Sequence, residues 1–256
     1  MALSLPPTLY LLLLTASLSL LTLSEARSFY AGSAGFKVLA SLSFLGGGLA
    51  LASSKFTIWT WDAWTAENRY PITLITGLAF GLVGDVLLIP SKQSYFERAI
   101  SKSEGDSLWF KAGTLSFALT HISYIVAFLS TASWEAFRLP DFALSLAFCL
   151  GLTHWLGFLG GKPKAGAMSV PDDMKFLVRA YVSIIVTMVS VATATDDGWQ
   201  RTVGAWMFMV SDLFVAMDTF GPRKAFSKTK VRPGWKARSV GWLAYFWAQM
   251  LLAGCI

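Results

Sequence analysis

The chain contains eight stretches of about 20 residues that are nearly free of charge, and a helix of that length crosses the ~30 Å hydrocarbon core of a membrane. Hydrophobic residues make up 55% of the 256 residues and charged residues 14%, whereas soluble domains carry about a quarter charged residues. Because water is absent from the membrane core, the backbone polar groups must be satisfied within helices, and the alternating pattern of a β-barrel is absent. The sequence therefore predicts an all-α fold, a polytopic transmembrane helical bundle forming a single domain, with spans at residues 6–24, 36–53, 71–90, 111–131, 141–160, 176–195, 203–220 and 239–255.

The first apolar stretch, PPTLYLLLLTASLSLLTLS, has a second interpretation as part of a signal peptide cleaved after Ala26. Signal peptides carry basic residues before their apolar region, and this stretch has none. We therefore favour a retained first helix.

Basic residues indicate how the chain is oriented in the membrane. Of its 21 lysines and arginines, 17 fall in or beside the first, third, fifth and seventh connections, and the other four are Lys55, Arg69, Arg138 and Arg201. By the positive-inside rule the basic connections are cytosolic, which predicts that both termini are lumenal or outside the cell. The net charge of +6 follows from this topology and does not indicate a nucleic-acid partner.

Two connections have a distinct composition. The polar segment 91–111 is predicted to be a surface loop. Seven basic residues crowd into PRKAFSKTKVRPGWKARS at residues 222–239. Such a cluster can bind anionic headgroups of membrane lipids, at about 1 kcal/mol per residue, or serve as a solvated topology anchor, the interpretation that we favour.

The sequence also contains a weak internal repeat. GLAFGLVGD at residues 77–85 and GAWMFMVSD at residues 204–212 both read Gly, seven mostly apolar residues, then Asp. They fall in the third and seventh spans, which run in the same direction. The repeat therefore indicates a parallel duplication of four helices, related by an axis along the membrane normal.

Polar side chains within the spans indicate a site. An ionisable group inside a span costs about 2.5–3.5 kcal/mol and therefore normally faces the bundle interior. Asp85 and Asp212 lie near the predicted cytosolic ends of the third and seventh spans, and His121 lies in the cytosolic half of the fourth. Tyr181 and Gln249 enter the same layer from two other spans. The structural alternative is that each Asp only pairs with a neighbouring polar group.

Familiar catalytic motifs are absent, and the sequence predicts no cofactor and no metal. It contains no GxxxxGK[ST] phosphate loop, no HExxH zinc motif and no GxSxG nucleophile elbow. With two histidines a three-His zinc site cannot form. The composition allows a two-His, two-Asp site of His121, His154, Asp85 and Asp212, although its spacing is not diagnostic.

Together these segments resemble the YhhN family of multi-spanning membrane proteins, which includes animal lysoplasmalogenases. The resemblance rests on GLAFGLVGDVLLI, FKAGTLSFALTHISYIVAF and VRAYVSIIV, at residues 77–89, 110–128 and 178–186. It continues in GAWMFMVSDLFVAMDTF and AYFWAQMLLA, at residues 204–220 and 244–253.

The resemblance implies hydrolysis of the vinyl ether bond of a lysophospholipid substrate, a lysoplasmalogen, to a fatty aldehyde and a glycerophospho-alcohol. It also implies a location in the endoplasmic reticulum. The residues that match the family's motifs are Asp85, Asp212 and His121 as catalytic groups, and Tyr124, Tyr181 and Gln249 as substrate contacts. A cytosol-facing cavity between the helices would hold the substrate phosphate near Lys37 or Arg179, although Lys37 can also snorkel to the membrane surface.

Vinyl ether hydrolysis requires two carboxyl groups in different states. Protonation of the β-carbon creates an oxocarbenium ion that water captures, and glycosidases meet a related need with one acid and one carboxylate. Burial and mutual repulsion would leave one of Asp85 and Asp212 protonated and the other ionised. We assign the acid to Asp212, because the sequence places it deeper in the membrane.

The alternative function is that of a proton-coupled transporter or a lipid-binding membrane protein. Buried Asp and His side chains also form proton relays, and a parallel repeat suits alternating access. The Gly-rich stretch GGGLAL at residues 46–51 indicates either a broken helix, as transporters use, or a tight helix-packing surface. The sequence does not indicate an oligomeric state or a headgroup preference.

Overall fold

The computed structural model describes residues 3–56, 65, 68–97, 104–133, 135–159, 170–195, 198–221 and 234–256, and within these ranges it contains helices but no strand. A 3-10 turn, Asp172–Met174, leads into the seventh helix. The helices are α1 (Thr8–Ala26), α2 (Tyr30–Lys55), α3 (Arg69–Leu87), α4 (Lys92–Glu97), α5 (Glu104–Thr131), α6 (Leu139–Trp155), α7 (Lys175–Thr195), α8 (Gln200–Phe220) and α9 (Trp235–Ala253). The predicted all-α class is confirmed.

Each predicted span corresponds to one long helix, and the short α4 is additional. Within the described ranges, six helices are long and apolar enough to cross a membrane: α1, α2, α3, α5, α7 and α8. The remaining two fall short for different reasons. α6 has 17 residues, and α9 contains Lys236, Arg238 and Gln249, which lower its hydropathy. The helical membrane bundle is confirmed, while eight crossings stay a prediction.

The prediction that residues 91–111 form a surface loop is wrong where the structure describes them. α4 occupies Lys92–Glu97, and α5 begins at Glu104, inside this segment. Hydropathy detects only the apolar part of a helix, and the apolar part of α5 begins at Leu108. The polar first turn of α5 therefore cannot be detected from hydropathy. Residues 222–233 of the basic cluster lie outside the described residues.

Proline and glycine contribute to the boundaries of two helices. Pro140 stands in the first turn of α6, where its missing N–H removes no helical hydrogen bond. Gly157 follows the same helix with φ 92°, and Gly234 precedes α9 with φ 81°. Glycine adopts positive φ without the steric cost that a Cβ atom imposes.

Contacts between helix ends define two faces of the bundle. At one face the end of α1 meets the start of α9, where Arg238 contacts Glu25. We call this the basic face; α1, α3, α6 and α8 end there, and α2, α5, α7 and α9 begin there. At the opposite face Gln200 hydrogen-bonds to the backbone of both Ser4 and Leu251. The first and last described segments therefore lie at the same face, although its lumenal location stays a prediction.

The Gly-rich stretch 46–51 lies inside an unbroken α2. A Cβ atom added to Gly47 would lie 2.8 Å from Pro6, and one added to Gly48 would lie 2.7 Å from Leu78. The glycines therefore form a tight packing surface. The alternative interpretation of this stretch as a broken helix is wrong.

Helix packing repeats between the first half (α1, α2, α3 and α5) and the second half (α6 to α9). The last two helices of each half pack extensively, α3 on α5 and α8 on α9. Between the halves, α5 packs on α7 and α9 packs on α2, so the last helix of each half contacts the second helix of the other. A parallel duplication with an axis along the membrane normal produces this exchange.

Three buried glycines on α3 let it approach α5 and α9 closely. They are Gly77, Gly81 and Gly84. A Cβ atom added to Gly81 would lie 2.7 Å from Nε2 of Gln249, and one added to Gly84 would lie 2.8 Å from Phe117. Small residues at such positions permit the van der Waals contact that drives helix association in lipid.

We expect Gly81→Ala to destabilise the protein by about 1–3 kcal/mol, because the added methyl group overpacks the contact with α9. Gly35→Ala is the matched control, since a Cβ atom at Gly35 on α2 meets nothing within 4 Å. Alanine favours helix over glycine by about 1 kcal/mol, so the control is neutral or stabilising. Thermal unfolding in detergent measures both variants, and equal unfolding temperatures would contradict the close approach.

A buried ion pair joins α1 to α9 at the basic face. Arg238 donates to Oε2 of Glu25 from Nε at 3.0 Å and from Nη2 at 2.8 Å. Its Nη1 lies 3.4 Å from Oδ1 of Asp218 on α8. Glu25 is 1% exposed and Arg238 is 9% exposed, so the two charges neutralise one another away from water. α1 is thus packed as a member of the bundle, and its retention in the mature protein stays a prediction.

We expect Glu25→Ala to cost about 3–5 kcal/mol of stability, because it removes the carboxylate that accepts two hydrogen bonds from the buried guanidinium group of Arg238. The double variant Glu25→Leu/Arg238→Met replaces the pair with apolar side chains and is expected to recover most of the loss. Thermal unfolding compares the two. If both variants unfold at the wild-type temperature, this ion pair does not stabilise the docking of α1.

Candidate functional site

Asp85 is buried near the end of α3, where α2 and α9 supply its partners. Its Oδ2 atom accepts hydrogen bonds from Oγ of Ser41 at 2.7 Å and from Oη of Tyr245 at 2.8 Å. Nζ of Lys37 lies 3.3 Å from Oδ1 and donates to the backbone carbonyl of Asp85 at 3.0 Å. Because α3 ends at Leu87, Asp85 lies closer to the helix end than the sequence predicts. Two hydroxyl donors and an ammonium group thus surround this buried carboxyl group.

Asp212 on α8 has a different set of partners. Its Oδ2 atom accepts a hydrogen bond from Oη of Tyr181 on α7 at 2.5 Å. Nε2 of His121 on α5 lies 3.0 Å from the same hydroxyl and 3.5 Å from Oδ2. Asp212 is 21% exposed, whereas His121 is fully buried. Within the described residues, no Lys or Arg forms an ion pair with Asp212.

The hydrogen-bond pattern assigns the tautomer of His121. Since Tyr181 directs its proton to Asp212, its oxygen accepts the proton of Nε2. Nδ1 of His121 is buried and has no hydrogen-bond partner among the residues that the structure describes. The two carboxyl groups therefore have unequal surroundings, with Lys37 beside Asp85 and with Tyr181 and His121 beside Asp212.

Both carboxyl groups line one cavity. The space between the helices, counted to its open end, is about 1070 Å³. Phe110, Met174 and Phe220 lie near the helix ends at the basic face, so the cavity extends from the carboxyl groups toward that face. Its walls are mostly apolar, and its polar lining side chains are Lys37, Asp85, Thr114, Thr153, Tyr181, Ser211, Asp212, Thr219, Trp242 and Tyr245.

Three buried side chains, Tyr124, Gln249 and Tyr245, form a series of hydrogen bonds that ends at Asp85. Oη of Tyr124 lies 2.5 Å from Oε1 of Gln249, and Nε2 of Gln249 lies 3.2 Å from Oη of Tyr245. Tyr245 in turn contacts Asp85. Tyr124 and Gln249 are fully buried and do not line the cavity. Their hydrogen bonds reach Asp85 through Tyr245.

The residues predicted from the sequence occupy three kinds of position. Asp85, Asp212, Lys37 and Tyr181 line the cavity. His121, Tyr124 and Gln249 are buried behind the lining residues. Arg179 is exposed on α7 and does not line the cavity.

Sequence reasoning missed Ser41 and Tyr245, which both donate to Asp85. Ser41 lies four residues after Lys37, and Tyr245 lies four residues before Gln249. Residues at this spacing share one face of a helix. A search for hydroxyl groups four residues from each predicted polar residue identifies both.

The alternative metal site does not assemble. Within the part of the chain that the structure describes, no three His, Cys, Asp or Glu side chains are grouped closely enough to hold a metal ion. His154, a member of the two-His, two-Asp alternative, is exposed on α6. α6 packs on α7 at the edge of the bundle.

Known proteins share this sequence pattern. The model of the YhhN family matches residues 49–256, which include both Asp85 and Asp212. The chain is also similar to lysoplasmalogenase TMEM86A from Bos taurus, with 25% identity over 195 residues, 70% of this chain. The match spans 63% of that relative's length, less than two thirds. No solved structure matches the chain.

Proposed function

The chain belongs to the YhhN family, and from this premise we propose that it is an integral-membrane ether hydrolase that cleaves the vinyl ether bond of lysoplasmalogens. The observation that carries this proposal is that Asp85 and Asp212 line one apolar cavity with unequal partners. The bovine relative's name, lysoplasmalogenase, supports the same bond as the target.

A single-chain lipid suits the cavity. The cavity is open toward the basic face, where Phe110, Met174 and Phe220 line it. Apolar walls accommodate the alkenyl chain. Lys37 lines the cavity and uses two contacts on Asp85, so the third N–H of its ammonium group is available to a phosphate oxygen. Lys37, rather than Arg179, is therefore the proposed phosphate contact.

The reaction begins with proton transfer to carbon. The protonated carboxyl group of Asp212 donates its proton to the β-carbon, the C=C electron pair forms the new C–H bond, and an oxocarbenium ion results. The carboxylate of Asp85 stabilises this cation, as a carboxylate does in glycosidases. Tyr181 and His121 orient Asp212 for the transfer.

Water completes the reaction in two steps. A water molecule attacks the oxocarbenium carbon and gives a proton to Asp85, which forms a hemiacetal. The carboxylate of Asp212 then removes the hemiacetal hydroxyl proton while Asp85 protonates the glyceryl oxygen, and the C–O bond breaks. The products are the aldehyde and the glycerophospho-alcohol, and both carboxyl groups return to their starting states.

We expect Asp85→Asn and Asp212→Asn each to reduce aldehyde release by at least about 100-fold, because each removes an acid or base. The substrates are lysoplasmenylcholine and lysoplasmenylethanolamine, presented to purified protein in detergent. Asp173→Asn is the control, since Asp173 is 61% exposed at the basic face and pairs with Lys111.

Absence of aldehyde from folded wild-type protein with both headgroups would contradict the hydrolase, and proton-coupled lipid flux in liposomes would then test the transporter alternative. Identical pH profiles for the residual activities of the two Asn variants would contradict the division of roles.

We expect Lys37→Met to lower kcat/KM by about 10- to 100-fold, because it removes the cation beside Asp85 and the proposed phosphate donor. Lys37→Arg keeps the charge and is expected to retain more activity. Arg179→Met is the matched control and is expected to stay within about twofold of wild type. Steady-state aldehyde release measures all three, and equal losses at Lys37 and Arg179 would contradict this assignment.

A further inference from the structure

Three successive hydrogen bonds join Tyr124, Gln249, Tyr245 and Asp85, and in each the donor is the residue farther from Asp85. The amide of Gln249 donates from Nε2 to Tyr245 and accepts at Oε1 from Tyr124. The opposite amide orientation would leave the buried Tyr124 proton unpaired and would draw the Tyr245 proton away from Asp85. Each member therefore donates toward Asp85, and Tyr245 delivers the last hydrogen bond.

These hydrogen bonds distinguish the two oxygens of Asp85. Oδ2 accepts from both Ser41 and Tyr245, which uses its two lone pairs. Oδ1 has Lys37 at 3.3 Å. Oδ1 is therefore the oxygen that retains the capacity to take a proton from water.

Aromatic packing fixes the position of Tyr245. Its ring centroid lies 4.8 Å from that of Phe246, 5.1 Å from that of Phe208 and 5.7 Å from that of Phe117. Gly81 permits the approach of Gln249, since a Cβ atom there would lie 2.7 Å from Nε2. Dense packing of this kind holds a side chain in one rotamer. The hydroxyl of Tyr245 thus has a single position from which to orient Asp85.

We propose that Tyr245, Gln249 and Tyr124 form a positioning chain that holds the Asp85 carboxylate in one orientation and leaves Oδ1 as its reacting oxygen. The role in catalysis rests on the proposed function. It differs from the expectation that Tyr124 and Gln249 contact the substrate.

The test uses three variants that each remove hydrogen bonds with little change in shape. Tyr245→Phe is expected to reduce kcat by about 10- to 100-fold, because it removes a hydrogen bond to a charged group. Gln249→Leu and Tyr124→Phe are expected to reduce kcat by progressively smaller factors, with KM within about twofold. Tyr30→Phe is the matched control, since its hydroxyl donates one hydrogen bond to the carbonyl of Pro90, outside the site.

The pH profile distinguishes positioning from a purely structural role. Losing the Tyr245 donor destabilises ionised Asp85, so the low-pH limb of the activity profile is expected to move to higher pH. Wild-type kcat and pH dependence for Tyr245→Phe would overturn the proposal. So would a change in KM alone, or a loss of kcat that follows a lower unfolding temperature with the pH limb unmoved.

Infrared spectroscopy tests the positioning chain without a substrate. The carbonyl stretch of protonated Asp85, identified by its loss in Asp85→Asn, is expected to appear at higher pH in Tyr245→Phe than in wild type. If this shift occurs without aldehyde release from any lysoplasmalogen, the proposed hydrolase fails and the positioning chain stands. If aldehyde is released and the band is unchanged in all three variants, the positioning chain fails and the hydrolase stands.

Discussion

A carboxyl group inside a membrane must find its hydrogen-bond donors within the protein, and six of the long helices meet around two such groups. α2 and α9 supply the donors for Asp85 of α3, through Lys37, Ser41 and Tyr245. α5 and α7 supply the partners of Asp212 of α8. The glycines of α3 belong to the same arrangement, because they let the neighbouring helices approach closely enough for these short contacts.

In the two halves of the chain, equivalent helices surround the two Asp residues. In each half the Asp stands on the third helix, and it is contacted by the second helix of its own half and the last helix of the other. The second helix of the same half contributes Ser41 to Asp85 and Tyr181 to Asp212. The last helix of the other half contributes Tyr245 to Asp85 and His121 to Asp212. The arrangement is shared while the side chains differ, which gives two carboxyl groups with different partners in one cavity.

The buried carboxyl groups could be predicted from the sequence, and the hydroxyl groups that contact them could not. Asp85 and Asp212 stand out because a charge in an apolar span requires an explanation. Ser41 and Tyr245 do not, because serine and tyrosine are common in membrane helices and their hydroxyls can bond to many partners. Sequence position makes Arg179 a reasonable phosphate contact, but the direction in which a helix presents a side chain depends on how all the helices pack together, and Arg179 is exposed. The same limit applies to the start of α5, which lies beyond the apolar segment that hydropathy detects.

The exchange of helices between the halves has an evolutionary consequence. Because α5 packs on α7 and α9 packs on α2, neither half alone surrounds its own carboxyl group. A unit of four helices would have to pair with a second copy of itself, and that homodimer would carry two identical acidic sites related by a twofold axis. Joining the two copies in one chain allows the two sites to differ, as Lys37 beside Asp85 and His121 beside Asp212 do. On this view the connection between α5 and α6 is the join between two former subunits.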